Sequence, residues 1–72
     1  MHSDYDINYQ KRVFEEKESL DEKIVKLSYF MRLGIYEELS EAEKELLKNQ
    51  LEVMTAYSNI LAKRTELFVS GN

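Results

Sequence analysis

Between Ser40 and Phe68 the chain carries two parallel rows of large apolar residues, where one helix of a two-helix monomer needs one. Leu46, Val53, Ile60 and Leu67 recur every seven residues, and so do Leu47, Met54, Leu61 and Phe68. On a helix turning about 100° per residue, the rows lie about 100° apart. Between them runs a polar row of Gln50, Tyr57 and Arg64. A helix with so wide an apolar face must be covered on two sides, and this requirement governs how the rest of the chain is read.

The remainder supplies only one helix. From Tyr9 to Leu33 the apolar period is again helical: Val13, Leu20 and Leu27 form one heptad row, flanked by Ile24 and Met31. On the other flank runs the mixed row Tyr9, Glu16, Lys23 and Phe30, while Lys11, Glu15, Glu18, Glu22 and Lys26 read as a solvated face. There is no proline, and Gly34 stands near the middle, where a glycine commonly ends a helix in the left-handed conformation. Ser40-Glu41-Ala42-Glu43 fits a capping box, which restarts the helix.

The expected fold class is therefore all-α: an antiparallel two-helix hairpin that self-associates into a helical bundle. Helix 1 is expected over about 9–33 and helix 2 over about 41–69, after a flexible lead-in at 1–8 and before a frayed tail at 70–72. Asp6 and Asn8 are candidate caps for helix 1. Ile35, Tyr36 and Leu39 are expected to plug the hairpin end. Folding about residue 37 sets Leu27 opposite Leu47, Leu20 near Met54 and Val13 near Leu61.

That pairing leaves Leu46, Val53, Ile60 and Leu67 as the expected oligomer interface. Each such side chain forgoes roughly 1.5–3 kcal/mol if left in water, so four of them rival the whole stability of a small domain. A 72-residue chain buries little surface and usually needs disulfides, a metal or assembly. It has no cysteine, and its one histidine, His2, lies in the terminal lead-in, so assembly remains. A homodimer covering the strip with its own copy is the simplest solution, with higher rings left open.

Gln50, Tyr57 and Arg64 would be costly in the apolar face without partners. Hairpin register brings Tyr9, Arg12 and Glu16 near Arg64, with Glu16 its natural counter-charge, either in the same chain or across an interface. One reading makes Glu16, Gln50, Tyr57 and Arg64 a buried network that fixes register. The other keeps a polar pocket where arginine and tyrosine from different chains meet a ligand, arginine forking onto phosphate and tyrosine stacking on a base.

Other functions find little support. Fourteen acidic residues against ten basic give a net charge of -4, which disfavours generic nucleic-acid binding. No run approaches the ~20 apolar residues that span a bilayer and no export signal is seen, so a cytoplasmic location is expected. There is no glycine-rich phosphate loop and no metal-ligand spacing. A serine nucleophile has no histidine base within a helical segment. The expectation is no catalytic residues, no metal and no cofactor.

The run Tyr9-Gln10-Lys11-Arg12-Val13, with Glu16, Leu20-Asp21-Glu22-Lys23-Ile24 and Leu27, resembles a family of small, mostly uncharacterised helical proteins of tailed bacteriophages, including crAss-like phages. Gln50, Met54, Tyr57-Ser58, Leu61, Arg64 and Phe68 extend the resemblance over residues 9–68. It implies a non-enzymatic accessory protein acting in the cytoplasm of an infected host. By analogy with small oligomeric phage proteins, it suggests a counter-defence sponge that sequesters a phosphate-bearing nucleotide immune signal in pockets between chains. Arg12, Lys23 and Arg64 would then hold phosphates, and Tyr9 and Tyr57 would stack. Two alternatives are a module docking a helical face on a host or phage protein, and a structural protein of the virion.

Overall fold

The computed structural model describes the backbone of residues 4–70 and the side chains of residues 8–69. Three helices follow one another: α1 (Asp4–Phe30), α2 (Gly34–Glu37) and α3 (Glu41–Ser70). The long helices α1 and α3 pack against each other as a hairpin, which forms a rod 56 × 15 × 15 Å. Among the described residues there is no strand, and no helix is long and apolar enough to cross a membrane.

The connection differs from expectation. The last residue of α1 is Phe30, and the chain then tightens: Arg32 and Leu33 donate backbone hydrogen bonds three residues back, to Tyr29 and Phe30, each at 3.0 Å. Leu33 is extended, with φ -85° and ψ 155°, and this residue breaks the helical path. Gly34 opens α2 instead of terminating α1, and its φ lies outside the left-handed region. At the other end, helix begins by Asp4, so Asp6 and Asn8 lie inside α1 and do not cap it. Of the expected lead-in and tail, residues 1–3 and 71–72 lie outside the described residues, His2 among them.

Ser40 caps α3 as its sequence suggests: its hydroxyl accepts the Glu43 backbone N–H at 3.1 Å, and its carbonyl accepts that of Lys44 at 3.0 Å. Of the three residues expected to plug the hairpin end, Tyr36 is buried and Leu39 half-buried, but Ile35 remains exposed. The Tyr36 ring meets Phe30 edge to face at 6.2 Å and lies under the Lys44 ammonium at 5.7 Å. Lys44 also pairs with Glu37 at 3.3 Å and Glu41 at 3.5 Å, tying the corner to the start of α3.

The core is thin. Among the described residues Val13, Tyr36 and Leu61 are the buried apolar ones, and of these only Leu61 is wholly enclosed. Leu20, Leu27, Leu47, Met54 and Phe68 are half-buried along the seam. Phe68 closes the open end, with Tyr9 at 6.1 Å and Phe14 at 6.2 Å, both edge-on. The second apolar row of α3 faces water: Leu46 is 66% exposed, Val53 68%, Ile60 54% and Leu67 53%.

Candidate functional site

Seven-residue spacing places Tyr9, Glu16 and Lys23 along one edge of α1, and Gln50, Tyr57 and Arg64 along the facing edge of α3. Because the helices are antiparallel, two pairs of these residues meet as rungs across the groove between them. In one the Tyr57 hydroxyl donates to the Glu16 carboxylate. In the next, the Arg64 guanidinium donates to the Tyr9 hydroxyl, with its carbon 5.5 Å from the centre of the Tyr9 ring. Both pairs are centred between residues 36 and 37, close to the fold point expected from the sequence.

Within one hairpin the expected pairing of Glu16 with Arg64 does not form. Glu16 is engaged by Tyr57, and Arg64 turns to Tyr9, because register sets each residue opposite the one at its own level. Gln50 stands apart from the network; its amide approaches only the Met54 sulfur, at 3.8 Å, a weak acceptor. Glu16, Tyr57 and Tyr9 remain exposed and Arg64 half-buried, so in one hairpin this is a surface cluster. Arg12 and Lys23 are exposed too, and among the described residues neither has a hydrogen-bond or ion-pair partner.

The rung has an electrostatic signature. The Glu16 carboxylate, as hydrogen-bond acceptor, favours the protonated phenol and holds Tyr57 above its ordinary range; burial adds to this, and Arg64 opposes it. A guanidinium carries five donors, so Arg64 keeps several for another acceptor while it holds Tyr9. The cluster can therefore offer forked donors and two aromatic rings, with Leu46, Val53, Ile60 and Leu67 directly beside it on α3.

A second polar group on the opposite flank was not foreseen. Lys17 donates to Asp21 at 2.6 Å and approaches the buried Ser58 hydroxyl at 3.5 Å; Ser58 in turn donates to Asp21 at 2.5 Å. The Lys17 ammonium, then the Ser58 hydroxyl, hold the Asp21 carboxyl below its ordinary range, against the opposing effect of burial. Two signals could have found it: the i, i+4 spacing of Lys17 and Asp21, and the heptad pair Ser58 and Thr65 flanking Leu61. Both of those small polar residues are buried.

An open groove of about 750 Å³ runs along this second flank. It is lined by Gln10, Lys11, Phe14, Glu15, Lys17, Glu18 and Asp21, all on α1, and by none of the residues expected to bind a ligand. Three carboxylates against two ammonium groups make it a poor anion site. Among the described residues no group of three His, Cys, Asp or Glu is placed to hold a metal.

Comparison with known proteins gives one assignment. Neither the curated proteins nor the solved structures contain a match to this chain. The family model for Sequestin matches residues 7–67, which include most of both long helices and every rung described above. The chain therefore belongs to the Sequestin family.

Proposed function

We propose that the chain is a non-enzymatic phage accessory protein that sequesters a phosphate-bearing nucleotide signal of host immunity in pockets between copies of itself. The carrying observation is the placement of Arg64 with the Tyr9 and Tyr57 rings on one flank, next to an apolar strip that a single hairpin leaves open. Arg12, Lys23 and Arg64 are the phosphate ligands in this reading, and Tyr9 and Tyr57 the stacking platforms. The family name, which points to sequestration, supports it.

Sequestration makes a distinctive demand: the ligand must be held and returned unaltered. A thermal-shift and calorimetric screen of cyclic nucleotides and ADP-ribose derivatives tests this. A binder at a hundred times its dissociation constant should stabilise the fold by about 2.7 kcal/mol. Heat-denatured complex should release the same compound intact, as read by mass spectrometry. Failure of every compound to shift the melt, or recovery of a cleaved product, would rule the reading out.

The same exposed strip favours one competing reading, in which Leu46, Val53, Ile60 and Leu67 dock on a host or phage protein. A folded monomer with no nucleotide response would move the assignment there.

A further inference from the structure

Tyr57 and Ser58 are neighbours on α3, and their side chains leave it on opposite sides of the seam. Tyr57 meets Glu16 on one flank, while on the other Ser58 donates to Asp21 at 2.5 Å and is approached by Lys17 at 3.5 Å. Glu16 and Lys17 are likewise neighbours on α1. At this level each helix therefore grips the other from both sides.

We propose that Lys17, Asp21 and Ser58 are positioning residues, whose clasp fixes the rotation of α3 about its own axis and so holds the Tyr57 hydroxyl on Glu16 and the Tyr57 ring where a ligand meets it. The consequence for a ligand rests on the sequestration reading; the positioning of Tyr57 does not.

Apolar contact alone leaves this rotation loose. The seam beside the clasp is made by Val13, Leu20, Met54 and Leu61, whose contacts have no direction, and of these four only Val13 and Leu61 are buried. A hydrogen bond does resist turning. A helix with its side chains is about 10–12 Å across, so a turn of about 10° carries a head group about 1 Å around its rim. An O–H···O bond spans about 2.5–3.0 Å, and that displacement breaks it. A tie on one flank opposes turning in one sense only, whereas a tie on each flank opposes both.

The chemistry of the second flank suits that task. The Asp21 carboxylate is held from its own helix by Lys17, four residues back, at 2.6 Å, and this charge-assisted contact orients it before Ser58 meets it. Ser58 is 8% exposed, so water competes little for its hydroxyl. At the open end Phe68 is also held from both sides, by Tyr9 at 6.1 Å and Phe14 at 6.2 Å. Ring contacts tolerate a range of distances and angles, which leaves the fine setting of α3 to the clasp.

Tyr57 reports its own position. Its phenol is held above its ordinary range first by the Glu16 hydrogen bond, with Arg64 opposing, so loss of that bond appears as an earlier ultraviolet titration. Ser58→Ala cuts the clasp and leaves every charge in place. It should move the late tyrosine toward the ordinary value of about 10, with helix content by circular dichroism unchanged. Lys17→Met combined with Asp21→Ala removes one charge of each sign from half-buried positions and should do the same, so it carries the test if Ser58→Ala loses its helices. Leu47→Ala weakens the seam eleven residues away, about 16 Å along α3, and should leave the titration late. Clasp variants that melt earlier while Tyr57 titrates as in the unaltered chain, or an equal shift in Leu47→Ala, would overturn the positioning role and leave the clasp a stabilising contact alone. With ADP-ribose and cyclic AMP as probes, both clasp variants should bind several-fold more weakly, although neither alters a residue assigned to the ligand. Unchanged affinity beside a shifted titration would overturn the consequence for the ligand. Failure of the unaltered chain to bind either probe would count against the sequestration reading alone, and the titration would still judge the clasp.

Discussion

Replacing Val53 with aspartate separates a hairpin that needs a second copy from one that does not. Val53 is 68% exposed, so in a lone hairpin the change is a surface substitution worth within about 0.5 kcal/mol. In the paired form it is different. Full burial of a valine contributes about 1.5–3 kcal/mol, and some two thirds of that remains to be gained, roughly 1–2 kcal/mol per copy. Two copies lose roughly 2–4 kcal/mol, and taking two carboxylates out of water adds to the loss. The apolar loss alone weakens association by about 30- to 1,000-fold. Sedimentation equilibrium over a concentration series would measure this, with circular dichroism following helix content. Glu52→Gln, one residue away and exposed, is the control that should leave the mass unchanged. A Val53→Asp protein with the same mass as the unaltered chain at every concentration would refute the reasoning.

Other perturbations test the hairpin itself. Leu61→Ala removes a fully enclosed side chain and should cost about 2–5 kcal/mol in urea unfolding; a loss well under 1 kcal/mol would mean the seam is packed otherwise. Gly34→Ala should stabilise by about 0.5–1 kcal/mol, because a Cβ there meets nothing within 4 Å and the backbone is helical, and a lowered melting temperature would contradict this. Tyr57 is a neutral donor whose folded pKa is raised, so its contribution is complete below the ordinary tyrosine value of about 10 and is lost as pH rises through the folded value. Ultraviolet titration should show one late tyrosine, absent from Tyr57→Phe. Asp21 has a lowered folded pKa, so its contribution is present above the ordinary value of about 4 and is lost as pH falls through the folded value. Asp21→Asn should flatten the acid limb of the stability profile.

The hairpin was legible because heptad rows and a capping box are local signals that tertiary context reinforced. Ser40 forms its cap, and the residues that meet across the seam are those a fold near residue 37 brings level. The corner was less legible. Gly34 carries a strong helix-ending prior, yet the break came earlier, at the extended Leu33, and the glycine was free to start a new turn. The start of α1 was missed because residues before Tyr9 show no apolar period, although a polar turn can extend a helix already nucleated. In the cluster, the heptad positions of Tyr57 and Arg64 set them on one flank of α3, but their partners depended on register to within one residue. Charge complementarity favoured Glu16 for Arg64 among the residues in reach, while within one hairpin Arg64 meets Tyr9, also in reach.

The mass of the full chain in solution at micromolar concentration bears most directly on whether a second copy covers the exposed strip of α3. A dimer at twice the 8.6 kDa chain mass, with helix content falling as it dissociates on dilution, is the predicted result. A fully helical particle that stays at 8.6 kDa across the concentration range would contradict it.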